Sequence, residues 1–415
     1  MNLSRRGLLG AAGAGVAMLQ AGSTVAQPGQ ALKPITDGAK PISPEERQAR
    51  LEKLRRLMAE QGIGALVAEP GSSLDYFTGV LWHRSERTTA AVIPARGEIV
   101  IVTPAFEEPS VRESLAVPAE VRVWDEPDSP FLRIAQALKD RGISGQPVAV
   151  EGTTRFFIVD GVREAARGLK VVSGDPIVRA CRLIKSPAEL ALMQTANDVT
   201  IAALRHVHGR VAAGMTAKDI AALMDEATLS LGAQAVEFSL VLLNEASAYP
   251  HGSRKPEVVR EGGVILMDCG CNVHGYQSDI SRSWVHGEPT ARQRKVWSTV
   301  KRGQEIALET AKLGAPVGTI DDAVRAYYES QRWGPGYRLP GLSHRTGHGI
   351  GLDGHEAAYL VHGDPTPLQA GMCFSDEPGI YIPGEFGIRL EDCWHMTEAG
   401  PKLFTGLANS IDDPI

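Results

Sequence analysis

The 415-residue sequence lacks three features that would each indicate a particular class of protein. Its five cysteines are an odd and small number, which does not make a disulfide framework in a chain of this length. Acidic and basic residues are interspersed, with a formal net charge of -6, so no basic stripe could neutralise a phosphate backbone. Beyond residue 26, no apolar run is long enough to cross a bilayer. We therefore expect no disulfide scaffold, no nucleic-acid partner and no stable membrane span.

The composition is globular, with 43% hydrophobic and 22% charged residues, and the length predicts two domains. The N-terminus is different, because Ser4-Arg5-Arg6-Gly7 precedes an apolar segment rich in Ala and Gly that ends at Ala26. This pattern predicts a twin-arginine signal peptide over residues 1–26 and export to the periplasm or the cell exterior. A membrane anchor is the alternative, but the apolar stretch over residues 8–19 is short for a span.

Local patterns divide the remaining sequence into two domains. Residues 27–42 are rich in Gly, Pro and Gln without periodicity, which predicts a flexible mature N-terminus. Ser43-Pro44-Glu45-Glu46 has the residues of a helix start, and short apolar strands then alternate with helical stretches, as in an α/β domain over residues 43–183. Ser186-Pro187-Ala188-Glu189 is a second helix start and opens the second domain, residues 184–415.

The second domain contains a weak internal duplication. A long helix, a turn with Gly and a shorter helix (219–229) lead into strands around Val241 and residues 264–268. The same order recurs with helices 291–313 and 321–331 and strands around Cys373 and Ile388. We predict two similar α+β halves that face each other across a cleft.

Each half offers two acidic residues on neighbouring strands. Asp268 ends an apolar strand, and Asp279 follows on the return strand after a turn near residues 272–275, so the two carboxylates can lie side by side. Residues 372–377 and 387–391 repeat this around Pro383-Gly384, with Glu377 and Glu391. Solvated surface acids are the usual alternative, but the flanking Val, Ile, Leu, Met and Cys residues favour burial. Four buried carboxylates require cations, and two divalent ions would balance them.

An imidazole completes this set of candidate ligands. His348 lies in a Gly-rich segment, 347–351, with His344 and His355 close by. Mostly oxygen ligands with one imidazole favour Mn, Co, Fe or Zn over a Ca site or a thiolate Zn site. Cys269 and Cys271 alternate with Asp268 along the strand and are expected to be core residues. A structural Zn site made with Cys373 and Cys393 is the alternative.

These segments resemble the pita-bread metallopeptidases, which include Xaa-Pro aminopeptidases, prolidases, methionine aminopeptidases and creatinase. The resemblance covers nearly everything from Ser43 onward, and its most specific segments are residues 267–270, 278–282, 344–352, 377–381 and 387–392. Residues 75–79 resemble the N-terminal domain of the Xaa-Pro enzymes and creatinase, which methionine aminopeptidases lack. The resemblance implies an α/β creatinase-like N-terminal domain followed by an α+β pita-bread catalytic domain with pseudo-two-fold duplication.

The resemblance also implies how the metal ligands are divided. Asp268 would bind one metal ion, Asp279 and Glu391 would bridge both ions, and His348 and Glu377 would bind the other. Glu377 would also be the general base. Manganese is the expected metal, with Co, Zn or Fe as alternatives.

Further residues match positions that surround the substrate in similar proteins. His251 and His355 would stabilise the oxyanion, while His344, Tyr381 and Arg389 would orient the substrate or the ligands. From the residues alone, His251 is equally well explained as an ordinary loop histidine. Residues 82–84 either reach the active site of a neighbouring subunit or form an exposed loop.

The resemblance implies a peptidase that hydrolyses Xaa-Pro bonds at the N-terminus of peptides or in dipeptides, with metal-bound hydroxide as the expected nucleophile. Dipeptidase and aminopeptidase variants both remain open. Other readings are a metal-dependent amide or ester hydrolase of a non-peptide molecule, a creatinase-like hydrolase without metal, and a non-catalytic binding protein. The filled ligand positions count against the last two. Small peptides are the expected substrates, and a homodimer or higher homo-oligomer is the expected assembly.

Overall fold

The computed structural model describes residues 32–415. The predicted signal peptide, residues 1–26, lies outside the described residues, as does the first part of the predicted flexible segment. Within the described range the α-helices are α1 (Pro44–Glu60), α2 (Ser72–Thr78), α3 (Glu108–Ser114), α4 (Pro130–Asp140), α5 (Phe156–Ala165), α6 (Asp175–Arg182), α7 (Pro187–His208), α8 (Ala217–Ser230), α9 (Ala291–Thr310) and α10 (Gly318–Ser330).

The strands divide into several sheets, described below. They are β1 (Ala65–Ala68), β2 (Ala90–Pro94), β3 (Ile99–Pro104), β4 (Ala119–Trp124), β5 (Val148–Val150), β6 (Val171–Ser173), β7 (Ala235–Leu243), β8 (Gly263–Val273), β9 (Tyr276–Gln277), β10 (Ile280–His286), β11 (Gly347–Gly349), β12 (Glu356–Leu360), β13 (Cys373–Asp376), β14 (Gly379–Ile382), β15 (Phe386–Arg389), β16 (Asp392–Thr397) and β17 (Gly400–Leu403).

The first six strands form one mixed sheet in the order β4-β3-β2-β1-β5-β6. The pairs β1–β2 and β2–β3 are antiparallel, whereas β3–β4, β1–β5 and β5–β6 are parallel. Val67, Val92 and Val100 of the sheet pack in one core with Ile134 and Leu138 of α4. This sheet with its helices confirms the predicted α/β N-terminal domain.

Both helix starts expected from the sequence are present. Ser43 caps α1, because its Oγ accepts a hydrogen bond from the backbone N–H of Glu46 at 3.2 Å. Ser186 and Glu189 form a reciprocal capping box at the start of α7. α6 ends at Arg182 and α7 begins at Pro187, so the chain passes from the N-terminal sheet to the second domain within a few residues.

The structure corrects the prediction of a flexible segment for part of residues 27–42. The backbone N–H of Ile35 donates to the Leu231 carbonyl at 2.9 Å, and Thr36 Oγ1 donates to the Gly232 carbonyl at 3.0 Å. Both acceptors lie in the turn after α8. The prediction of a flexible segment up to residue 42 was wrong for Ile35 and Thr36. Their partners lie almost 200 residues away in the sequence, so no local pattern indicates these contacts.

The second domain repeats one order of elements. Helices α7 and α8 lead into a sheet of order β10-β8-β7, with β9 paired to β8. Helices α9 and α10 lead into a sheet of order β12-β11-β13-β16-β17 and a separate hairpin, β14-β15. The structure therefore confirms the duplicated α+β architecture.

The pairing of the second acidic hairpin differs from the expectation. Residues 372–377 and 387–391 were expected to pair with each other around Pro383-Gly384. Instead, β14 pairs with β15 around that turn, and β13 pairs with β16, with Asp376 opposite Asp392. The long hairpin is divided because Pro378 follows Glu377 and cannot donate a hydrogen bond to continue the ladder. Glu377 and Glu391 thus lie at the bend between the two sheets.

Buried contacts join the two halves directly behind the cleft. Arg282 of β10 has no exposed surface, and its NH2 group donates to Asp392 Oδ1 at 2.6 Å. Its NH1 group donates to the Glu391 carbonyl at 2.8 Å, and the Glu391 N–H donates to the Ser281 carbonyl at 3.0 Å. These bonds fix the strand that follows Asp279 against the strand that follows Glu391.

Apolar packing fixes the second half of the domain. Phe374 of β13 and Trp394 of β16 stack with ring centres 5.1 Å apart, in a core that also contains Val300 of α9 and Val324 of α10. In residues 32–415, no helix combines the length and the apolar character needed to cross a membrane.

Candidate metal centre and active site

The five predicted metal ligands meet in one cluster between the two halves. Asp268 lies in β8, and Asp279 immediately precedes β10, which pairs with β8. His348 lies in β11, while Glu377 and Glu391 flank the paired strands β13 and β16. Three trios of side chains each place their ligand atoms within 4.8 Å of one another: Asp268, Asp279 and Glu391; His348, Glu377 and Glu391; and Asp279, His348 and His355.

Burial and mutual repulsion disfavour the charged form of these carboxylates. Only 4% of Asp279 and 2% of Glu391 is exposed. Burial and the charge of Asp268 raise the pKa of Asp279 well above its usual range, and burial and the charge of Asp279 do the same to the pKa of Glu391. Burial raises the pKa of Glu377 to about 7. The protein thus gathers several carboxyl groups at a place where their negative charge is poorly compensated.

One arginine provides part of the compensation. Arg389 NH2 lies 2.6 Å from Asp268 Oδ2, and Arg389 Nε lies 4.0 Å from Glu391 Oε2. Within residues 32–415, no other arginine or lysine is within ion-pair distance of the four carboxylates. Glu391 Oε1 is buried and has no hydrogen-bond partner among these residues. A buried oxygen without a partner, in a set of clustered carboxylates, fits bound divalent cations.

His348 is held in the orientation of a metal ligand. Its Nδ1 lies 3.1 Å from the Gly349 carbonyl, so Nδ1 carries the proton that is donated there. Its Nε2 then presents a lone pair toward Glu377 Oε1 at 3.3 Å and Asp279 Oδ2 at 3.6 Å. Burial lowers the pKa of His348 well below its usual range, which keeps the ring neutral. A lone pair directed at carboxylates is favourable only when a cation lies between them.

Ser281 and Arg389 support the carboxylates from behind. Ser281 Oγ lies 2.9 Å from Asp268 Oδ1 and 2.8 Å from Glu391 Oε2, and it accepts a hydrogen bond from Arg389 Nε at 2.9 Å. Ser281 lies in the motif 278–282 but was not among the predicted site residues. Strand alternation could have identified it, because residues 279 and 281 point to the same face of the strand.

His344 belongs to a hydrogen-bonded chain at the edge of the cluster. Its Nδ1 donates to the Arg345 carbonyl at 2.8 Å, and its Nε2 accepts from the Tyr381 hydroxyl at 2.7 Å. The Tyr381 hydroxyl in turn accepts from Arg389 NH1 at 3.2 Å. Burial lowers the pKa of His344 to about 3, so the imidazole is neutral and joins the Tyr381 hydroxyl to the Arg345 carbonyl through its two hydrogen bonds.

A cavity of about 670 Å³ opens over the ligands. His251 and His355, the two predicted oxyanion-stabilising residues, line it together with Arg345, which was not among the predicted site residues. Arg345 NH2 lies 3.2 Å from His355 Nδ1, so Nδ1 accepts this hydrogen bond and the proton of His355 is on Nε2. The cavity wall also includes Glu237 and Phe238 of β7, which carry no local signal for a site.

The cysteines take no part in the centre. All five are free and buried, and none of the three ligand trios in residues 32–415 contains one. Cys393 Sγ donates to the Asp279 carbonyl at 3.2 Å, and Cys373 lies opposite His395 in the sheet. These contacts fit the interpretation as core residues and do not support the alternative Zn site.

The fold and the cluster together define a metallohydrolase centre of the carboxylate and histidine type. Residues 191–398 match metallopeptidase family M24, and residues 50–184 match the N-terminal domain of creatinase and prolidase. The chain belongs to metallopeptidase family M24, which implies divalent metal ions.

Three similar proteins show how far the likeness extends. The chain is 33% identical over 375 residues to the probable dipeptidase PepE of Mycobacterium tuberculosis, covering 88% of this chain and 95% of that protein. Its structure resembles the crystal structure of dipeptidase PepE from Mycobacterium ulcerans, with a TM-score of 0.79 over 88% of this chain and 97% of that one. The sequence identity of the two chains is 31%. A recombinant prolidase from Thermococcus sibiricus is 26% identical, with a TM-score of 0.81 over 87% and 97% of the two chains.

Proposed function

We propose that this protein is a two-metal peptidase that hydrolyses Xaa-Pro bonds in small peptides. The observation that carries the proposal is the convergence of four carboxylates and a neutral imidazole on a cavity, with one arginine as their compensating charge. A similar structure that is named as a prolidase supports the preference for proline. Relatives that are named as dipeptidases support peptides of the smallest size as substrates.

The ligands divide between two cations in this proposal. Asp268 would hold one ion, His348 and Glu377 the other, and Asp279 and Glu391 would be shared, as the resemblance to the pita-bread metallopeptidases implies. When bound, divalent cations of this kind polarise a carbonyl oxygen and lower the pKa of water. Manganese is the proposed metal, since the donors are mostly oxygen with one imidazole.

The protein's own groups have separate tasks around the scissile bond. Glu377 lines the cavity and would accept a proton from the attacking water and pass it to the leaving prolyl nitrogen. His355 would donate from Nε2 to the developing oxyanion, because Arg345 occupies its Nδ1. His251 lines the same cavity and is proposed to donate to the substrate as well.

A substrate panel with metal-loaded protein tests the activity. We expect hydrolysis of an Xaa-Pro dipeptide, an Xaa-Pro-Yaa tripeptide or both, and much slower hydrolysis of a matched peptide without proline. Absence of cleavage of every proline peptide would overturn the proposed specificity.

Ligand substitutions test the metal dependence. We expect Asp279→Ala and Glu391→Ala to lose bound metal and hydrolysis together, whereas Glu385→Ala, which removes an exposed acid from the β14-β15 turn, keeps both. If both ligand variants retain full metal content and activity, the two-metal proposal is wrong.

Export and assembly are separate proposals. We propose that residues 1–26 direct twin-arginine export, which predicts that a reporter fused to them reaches the periplasm and that replacing Arg5 and Arg6 with Lys retains it in the cytoplasm. We also propose a homo-oligomer in which residues 82–84 approach a neighbouring active site. Light scattering of the purified protein would overturn this if it gave the mass of a single chain.

A further inference from the structure

In the described part of the chain, Glu237 is the one cavity-lining carboxylate outside the metal-ligand cluster. Five acidic residues line the cavity, and four of them supply the ligand trios: Asp268, Asp279, Glu377 and Glu391. Glu237 is exposed, belongs to none of these trios and forms no ion pair with any residue of the range 32–415. A negative charge without a cation in a substrate cavity is a candidate for contact with a cationic group of the ligand.

A β-bulge directs Glu237 into the cavity. In the pairing of β7 with β8, Val236 lies opposite Cys271. Phe238 lies opposite the next position, Gly270, so Glu237 is an extra residue without a paired position on β8. Side chains of a regular strand alternate between its faces, and a bulge interrupts this alternation and re-aims a side chain. Glu237 and Phe238 therefore line the same cavity although they are adjacent in the sequence.

The contacts of Glu237 leave one of its carboxylate oxygens free for a ligand. Asn272 Nδ2 donates to Glu237 Oε1 at 2.5 Å, whereas Oε2 forms no hydrogen bond within residues 32–415. Phe238 and Leu240, both half-buried, follow Glu237 along the same wall of the cavity. The wall thus has an apolar surface that ends in a carboxylate, which matches a side chain with an aliphatic stem and a cationic end.

The position of Glu237 along β7 determines which cationic group of a substrate it can reach. Leu240 lies opposite Asp268, a proposed metal ligand, and Glu237 precedes Leu240 by three residues. At about 3.3 Å per residue, Glu237 and Leu240 are roughly 10 Å apart along the strand. The α-ammonium group of a substrate is one carbon atom from the scissile carbonyl, so it stays beside the metal centre. The ammonium group of a lysine side chain lies beyond a chain of methylene groups and can extend along β7.

We propose that Glu237 binds the cationic side chain of the residue before proline, so that the enzyme prefers lysine or arginine at that position. The inference rests on the proposed peptidase function and names the substrate class for the same site. Phe238 and Leu240 pack against the aliphatic part of this side chain, and Asn272 orients the carboxylate. Because Glu237 is exposed, the gain in kcat/KM is expected to be about fivefold, as for a solvated ion pair.

Two matched substrates test the contact with the side-chain ammonium. Lys-Pro and norleucyl-Pro differ in the ammonium group at the end of the side chain alone. The proteins are the metal-loaded wild type, Glu237→Gln, Glu237→Lys and the control Glu226→Gln, which neutralises an exposed acid of α8 outside the cavity. We expect the wild type to cleave Lys-Pro about fivefold more efficiently than norleucyl-Pro, mainly through a lower KM. Glu237→Gln should abolish this preference, Glu237→Lys should invert it, and Glu226→Gln should retain it.

Ionic strength provides a second test that needs no substitution. Salt screens exposed pairs of charges, so the wild-type ratio of kcat/KM for Lys-Pro and norleucyl-Pro should fall toward unity as the ionic strength rises to about 1 M. The same ratio should not depend on salt in Glu237→Gln. A wild-type preference that salt leaves unchanged would contradict an ion pair with the substrate.

The outcomes distinguish this inference from the proposed function. If the wild type cleaves norleucyl-Pro as efficiently as Lys-Pro, or if Glu237→Gln keeps the preference, the proposed contact is wrong, although the peptidase function stands. If Glu237→Gln lowers kcat/KM equally for both dipeptides, Glu237 acts on a group that both share, such as the α-ammonium, and the side-chain proposal is wrong. If the wild type cleaves no proline peptide, the proposed function itself fails.

Discussion

Two buried acidic regions differ in how their negative charge is compensated. One surrounds Glu356, and the other surrounds His348, which lies eight residues earlier in the chain. Glu356, at the start of β12, lies 2.5 Å from Arg182 NH2 and 3.0 Å from Lys185 Nζ. Its Oε1 also accepts from the Leu352 N–H at 3.0 Å. Burial alone would raise the pKa of Glu356, but Lys185 and Arg182 outweigh burial and lower it to about 2. Asp279 and Glu391, near His348, are also buried, yet their pKa values are raised well above the usual range.

The difference between the regions is the number of cations that the protein itself provides. Around Glu356 the compensation is internal, so this cluster is a structural element that fixes the loop between β11 and β12 to α6 and the residues after it. Around His348 the compensation is incomplete, so the free energy of the charged form is lowered only when cations bind. Burial of acids by itself therefore does not identify a metal centre, whereas burial without compensation does.

The strongest test of this contrast is Glu391→Gln, which keeps the shape of the side chain and removes the charge. We expect kcat/KM to fall by at least about 10³-fold, as is common when one member of a cooperative catalytic set is lost. The metal-free variant should be at least as stable as the metal-free wild type, because glutamine is always neutral at a buried position where the charged form of Glu391 is disfavoured. Steady-state hydrolysis by the metal-loaded proteins measures the first effect, and thermal unfolding of the metal-free proteins measures the second. A strongly destabilised metal-free variant would contradict the account.

Glu356→Gln should have the opposite effect on stability. Removal of this charge leaves Arg182 and Lys185 buried without their main partner, which typically costs about 3 kcal/mol of unfolding free energy. The loss should be similar with and without metal. Denaturant unfolding provides the measurement, and Glu126→Gln, at an exposed ion pair with Arg87, is the matched control. An unchanged midpoint for Glu356→Gln would mean that the cluster has no structural role.

Ser281→Ala tests how the carboxylates of the centre are held in place. Ser281 contacts Asp268 and Glu391, so its loss should leave both carboxylates in place but less well oriented. We expect metal affinity to fall about 10- to 100-fold, as for other residues that support metal ligands. Competition with a chelator measures the affinity, and wild-type affinity in the variant would show that Arg389 alone suffices.

The pH dependence of the metal-free protein should reveal the same charge imbalance. The pKa of Glu377 is about 7 in the folded protein, above its usual value near 4.5, so the folded state holds a proton that the unfolded state loses. This contribution to stability is fully present below about pH 4.5 and is lost as the pH rises to 7, at roughly 1 kcal/mol per pH unit. Saturating metal should remove the decline. A pH-independent midpoint of the metal-free protein over this window would contradict the assignment.

The candidate metal ligands could be identified from the sequence because their signals are local. Asp268 ends an apolar run in the sequence, Asp279 follows after a short turn, and Glu377 lies beside Pro378. Features that depend on distant partners could not be predicted. Ile35 binds the turn after α8, and the role of Glu356 depends on Arg182, which lies in another domain. The division of the second hairpin is intermediate, since Pro378 is a local signal but the strand pairing that it interrupts is not.

Calorimetric titration of the metal-free wild type with Mn²⁺ at pH 7 tests the central claim most directly. The account predicts two ions bound per chain. It also predicts proton release, detected as a dependence of the heat on the buffer, because Asp279, Glu377 and Glu391 have raised pKa values before metal binds. Absence of binding, or binding that Glu391→Gln leaves unchanged, would contradict the claim that these uncompensated carboxylates form a metal centre.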